Sequence, residues 1–145
     1  MNKTSTAAKG KGVVMSMNIA EIFELLFDKD NKTAYKALQE LQKESEETDH
    51  VYPYMERLSD MLESDNSYIR TRGLTLLAYN AKWDRANKID EIIDGYLEHI
   101  TDVKPITARQ CIKLLPMIAK DKPELKEDIL SALHRADVSF YEDSM

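Results

Sequence analysis

Three histidines, one cysteine, one tryptophan and 26 carboxylates are what this chain offers to chemistry, and their spacing limits what they can do. A metal site on a helix needs ligands at i and i+4; His50, His99 and His134 form no such pair, and no metal is expected. His99 and His134 each precede an aspartate (Asp102, Asp137) by three residues, near expected helix ends, where a cation meets the negative end of the helix dipole. Cys111 lies on an apolar stripe with Ile112 and Leu115, and a thiol buried in such surroundings is inert. As the only cysteine it also excludes an intramolecular disulfide and points to a reducing compartment. Nucleophile elbows and phosphate-cradling glycine loops are absent; the only close glycines are Gly10 and Gly12. The acidic groups Glu44, Glu46, Glu47 and Asp90, Glu91, Asp94, Glu98 read as solvated helix faces. Trp83 followed by Asp84 is the one pair that suits base excision, which needs an aromatic wall and a carboxylate beside a forming cation. Tyr79 and Trp83, at i and i+4, fit a packing pair or an interaction hot spot better. The expectation is therefore a chain without a catalytic centre and without a cofactor.

The elements that would position these residues are helical. Only 4 glycines and 4 prolines occur in 145 residues, too little punctuation for the turns of a sandwich or barrel. Apolar residues recur instead on a 3.6-residue period. Seven stripes follow one another: Ile19, Ile22, Phe23, Leu26; Ala34, Ala37, Leu38, Leu41; Tyr54, Leu58, Met61, Leu62; Ile69, Gly73, Leu76, Leu77; Ile89, Ile92, Ile93, Tyr96, Leu97, Ile100; Ala108, Cys111, Ile112, Leu115, Ile118; and Leu125, Ile129, Ala132, Leu133. Pro116 falls inside the sixth, where a kink is expected. Residues 1–16, small, polar and basic, read as a disordered leader, and residues 17–145 as a single domain. No run is apolar enough for a membrane span, and a cytoplasmic location is expected.

The helix-to-helix turns repeat. LFDKDNKTAYKAL, MLESDNSYIRTRGL and HITDVKPITARQCI each join one helix to the next around an aspartate, and Asp30, Asp65, Asp102 and Asp137 recur 35 to 37 residues apart. Arg72 and Arg109 each follow their aspartate by seven residues. The pairs Asp65–Arg72 and Asp102–Arg109 are predicted to form a hydrogen-bonded ladder between stacked hairpins. This layout resembles HEAT and related armadillo-like repeats over about residues 18–137, as in small bacterial HEAT-like proteins, although a unit of about 36 residues is short for that family. A more distant likeness is to DNA-alkylation-repair glycosylases built on helical repeats. The resemblance implies an all-α superhelix, a solenoid of about three hairpins, closed by a short C-terminal tail in which ADVSFYEDSM supplies a turn at Asp137 and no further helix.

Charge separates the helix layers. The chain carries −6 overall, which argues against nucleic-acid binding through the whole surface. The first helix of each hairpin is acidic, whereas residues 66–83 hold Arg70, Arg72 and Lys82 and residues 105–120 hold Arg109, Lys113 and Lys120, with no acid in either span. In HEAT-like solenoids the second helices line the concave side, so the expectation is a basic groove between the fourth and sixth helices, with Arg70, Tyr79, Trp83, Lys113 and Lys120 as contacts. Such a groove suits a non-catalytic scaffold for an acidic protein segment. Nucleic acid, including a glycosylase substrate, is the alternative ligand, and a second copy of the chain at the C-terminal repeat edge is a further partner.

Overall fold

The computed structural model describes the backbone of residues 17–144 and the side chains of residues 17–136. The leader expected over residues 1–16 lies outside the described residues. Among the described residues there are seven α-helices joined by turns and short 3-10 segments, and no strand. The chain packs as two compact units, Met1–Val51 and Tyr52–Met145.

The first unit is a helical hairpin. Asn18 caps α1 (Ile19–Glu24) through a capping box, its Oδ1 accepting from the Glu21 N–H at 2.9 Å while Glu21 Oε1 accepts from the Asn18 N–H at 3.0 Å. This short helix and its 3-10 extension bury Phe23 and Leu26. At the turn, Asp28 accepts the Asp30 N–H and Asp30 accepts the Thr33 hydroxyl at 2.7 Å, which starts α2 (Asn31–Glu47). The buried positions Ala34, Ala37, Leu38 and Leu41 are the expected stripe.

The second unit contains α3 (Met55–Met61), α4 (Ser67–Tyr79), α5 (Lys88–Leu97), α6 (Pro105–Asp121) and α7 (Lys126–Ser144). Asn66 caps α4 by accepting the Tyr68 N–H at 2.8 Å. From Arg70 to Ala78 every α4 residue is buried except half-buried Thr71, because α3 and α6 both pack on this helix. Gly73 is what lets α3 close in: a Cβ there would lie 3.0 Å from both the Leu58 carbonyl oxygen and the Met61 Cβ. Gly73→Leu is expected to destabilise by about 1–3 kcal/mol through overpacking, read as a lower urea midpoint; an unchanged midpoint would show that the α3–α4 contact is loose. On α5, Ile89, Ile93, Tyr96 and Leu97 are buried, and the Tyr96 hydroxyl donates to the Leu74 carbonyl of α4 at 2.9 Å. Burial pushes this phenol well above its ordinary pKa.

Two local expectations are corrected. Asp137 lies inside α7, which continues to Ser144, and marks no turn; residues 137–144 contain no glycine or proline to stop a helix. The fourth helix does not run through the whole acid-free span 66–83: it ends at Tyr79 and passes into a single 3-10 turn over Ala81–Trp83. α6 contains Pro116, whose position is exposed, as the missing N–H of a helix interior is best tolerated.

Candidate functional site

Two polar clusters and one exposed helix face hold the residues singled out by the sequence. The first cluster joins α4 to the α5–α6 turn. Arg70 donates to Asp102 through both arms of its guanidinium, Nε to Oδ2 at 3.0 Å and Nη2 to Oδ1 at 2.7 Å, while Nη1 donates to the Ser64 carbonyl at 3.0 Å. Asp102 also meets His99 Nδ1 at 2.7 Å and accepts the Lys104 N–H at 2.9 Å. Burial alone would raise the Asp102 pKa, but hydrogen bonds from Arg70, His99 and the Lys104 N–H outweigh it and hold the carboxyl well below the usual carboxylate range. A fork-to-fork pair with every lone pair engaged is the form in which a buried ion pair is sustained.

This pair takes the place of the expected Asp102–Arg109 contact. Asp102 bonds to Arg70, 32 residues earlier on the neighbouring hairpin, and Arg109 is exposed on α6. Asp65 is exposed on its turn and its charge acts on Arg70. Arg72 is buried with its guanidinium 5.7 Å from the centroid of the Tyr68 ring, a cation–π geometry. Seven residues after an aspartate is two helical turns, which carries an arginine past the turn it was meant to reach.

The expected basic groove between α4 and α6 is corrected by the same geometry. The two helices pack directly on each other, and Arg70 is 8% exposed and bound to Asp102, so it is removed from the binding surface. Tyr79 is half-buried at the end of α4 and Trp83 half-buried in the 3-10 turn that follows, with Lys82 Nζ 5.3 Å from the centroid of the Trp83 ring. Lys113 and Lys120 are exposed on α6. With Arg109 and Ile112 they occupy the side of α6 away from its buried stripe Thr107, Cys111, Leu114, Leu115 and Ile118. Ile106, 72% exposed, extends this face at the helix start. The inert role expected of Cys111 agrees with its full burial, which pushes its pKa up to about 12.

The second cluster surrounds Asp84. Its carboxylate accepts from the Tyr52 hydroxyl at 2.6 Å and from the Lys88 and Ile89 N–H groups at 2.9 Å, which caps α5, and it pairs with Lys122 at 3.2 Å. Lys122 Nζ also donates to Asn87 Oδ1 at 2.6 Å and lies 2.7 Å from Asp90 and 3.2 Å from Glu124. Asn87 holds φ of 55° to make that contact, a left-handed conformation that asparagine tolerates. Burial would raise Asp84, and the four donors together lower it instead. Burial would lower Lys122, and its carboxylates raise it. All of the Asp84 carboxylate is thus engaged within the fold, with no exposed side-chain surface. Sequence reading missed Lys122; in the run KDK nothing separates a buried lysine from its solvated neighbour.

An all-α chain whose successive hairpins are tied by a buried arginine–aspartate pair is a helical-repeat protein. It belongs to the HEAT repeat domain family, whose model matches residues 13–145. No curated protein and no solved structure matches the chain. Among the described residues no helix is long and apolar enough to cross a membrane, and no group of three or more histidine, cysteine or acidic side chains is placed to hold a metal ion.

Proposed function

We propose that this chain is a non-catalytic binding module that captures an acidic segment of a partner protein on the outer face of α6, through Arg109, Ile112, Lys113 and Lys120. HEAT repeats generally serve as protein-binding scaffolds. The observation that carries the reading here is the concentration of exposed cations beside exposed Ile106 and Ile112 on one helix, without an acid from 105 to 120, in a chain of net charge −6. Cations on such a face speed the encounter with an anionic partner, and the isoleucines then supply apolar contact. Tyr79 at the end of α4 and Trp83 in the turn after it stay in the proposal as half-buried groups; Arg70 does not.

The double variant Lys113→Glu, Lys120→Glu tests it. With a glutamate-rich synthetic peptide as probe, affinity is expected to fall at least about tenfold, one decade per 1.4 kcal/mol, with the melting temperature within a few degrees of the parent because both side chains are solvated. Unchanged affinity would remove the α6 face as the site. Salt-sensitive capture of duplex DNA by the parent, with indifference to the peptide, would assign the face to nucleic acid instead.

A further inference from the structure

We infer that the acidic segment docks on α6 as a helix, stacking on it in the way that α6 itself stacks on α4. The inference rests on the reading above and specifies the partner's form.

Counted from their N-caps, Asn66 and Lys104, α4 and α6 align when 38 is added to the residue number, one more than the step from Asp65 to Asp102 because the turn before α6 is one residue longer. At that offset the buried residues Gly73, Leu76, Leu77 and Asn80 correspond to Cys111, Leu114, Leu115 and Ile118, which are buried too. The two helices therefore turn the same stripe toward the core. They differ on the next stripe. Thr71 of α4 meets Thr107 of α6, hydroxyl to hydroxyl at 2.9 Å, and Leu74 and Ala78, one and two turns on, are fully buried. Their counterparts on α6 are Arg109, Ile112 and Pro116, all exposed, with Ile112 at 42%. The stripe that is half-buried or buried on α4 is thus exposed on α6 among the described residues.

The α6 stripe thus continues an interface already built once in this molecule. Its residues suit a helix-packing surface: an isoleucine where α4 has Leu74, and a compact proline ring where α4 has Ala78. The change from Thr71 to Arg109 sets the chemistry of the occupant. The residue that meets Thr71 is Thr107, at the third position of its helix, so a carboxylate at the third position of the incoming helix meets Arg109. The occupant is an amphipathic helix with a small or apolar stripe and an acid in its first turn; Lys113 and Lys120 flank it with the same sign.

The probe follows from α6. A 17-residue peptide of its sequence, carrying Thr107→Glu, Arg109→Glu, Lys113→Glu and Lys120→Glu with Cys111→Ser and Pro116→Ala, keeps Leu114, Leu115 and Ile118 of the packing stripe and reverses the charge. A second peptide adds Leu114→Pro and Ile118→Pro, which leaves the charge unchanged and prevents a helix. Calorimetric titration into the full chain is expected to show the first peptide binding at least tenfold tighter than the second, with that preference lost in Ile112→Asp. Ile112 is exposed enough for this variant to keep its melting temperature, and circular dichroism checks that it does. Equal binding of both peptides overturns the helix-stacking inference while leaving the acidic-segment reading in place. Binding of neither peptide overturns both. Concentration-dependent dimers of the parent that Ile112→Asp dissolves, with no peptide bound, overturn the inference by giving the face to a second copy of the chain.

Discussion

Arg70→Met is expected to cost about 3–5 kcal/mol of folding stability, the scale for removing one partner of a buried ion pair while the other stays buried. Methionine keeps most of the volume, so the loss reports the charge. Asp102, its side chain 3% exposed, is left with His99 and the Lys104 N–H against the desolvation that Arg70 had offset. The double variant Arg70→Met, Asp102→Leu should recover much of the loss, because two apolar groups of similar volume leave no uncompensated charge. Denaturant unfolding of the parent, both single variants and the double variant closes the cycle. Additive losses would mean that the pair contributes no coupling and that the hairpins stack through apolar contact alone.

Lys122→Met should be of similar size, about 3–5 kcal/mol at neutral pH, since Asp84, with no exposed side-chain surface, loses its cation. Its signature is pH dependence. The folded-state pKa of Asp84 is depressed, so the stabilisation from its ionised form is whole above the ordinary aspartate value of about 3.9 and is lost as pH falls through the folded value. The variant lacks most of that contribution at every pH. The gap between parent and variant is therefore wide at pH 7 and narrows below about pH 4. A gap that stays constant from pH 7 to pH 3 would assign the loss to packing rather than to charge.

Much of the architecture was legible because it follows from periodicity. The stripes Ala34, Ala37, Leu38, Leu41 and Ile89, Ile93, Tyr96, Leu97 mark buried helix faces, and the recurring aspartates mark real turns at Asp30, Asp65 and Asp102. Asp137 misled because an aspartate starts a turn only where the neighbouring sequence stops a helix, and nothing after it does. The site was less legible. A single sequence gives the distance along the chain from Asp102 to Arg109 but not the distance through space to Arg70, which a whole hairpin separates in sequence. Charge counting placed Arg70, Arg72 and Lys113 on one basic layer, yet α4 is packed by helices on two sides and α6 leaves one side open. The same cation content is core polarity in the first helix and an exposed face in the second.

The Arg70–Asp102 bond runs from the second helix of one hairpin to the turn of the next, the Tyr96 hydroxyl donates in the reverse direction to Leu74, and the Thr71 and Thr107 hydroxyls meet between the same two hairpins. In a one-dimensional lattice of repeats these are nearest-neighbour terms, to be set against the intrinsic stability of each unit. A link of that kind makes unfolding of one hairpin expose a charged group on its neighbour, so the two hairpins melt as one cooperative block rather than fraying apart. It also gives the joint a polarity, with the donor on the earlier hairpin and the acceptor on the later one, so the two hairpins cannot exchange places.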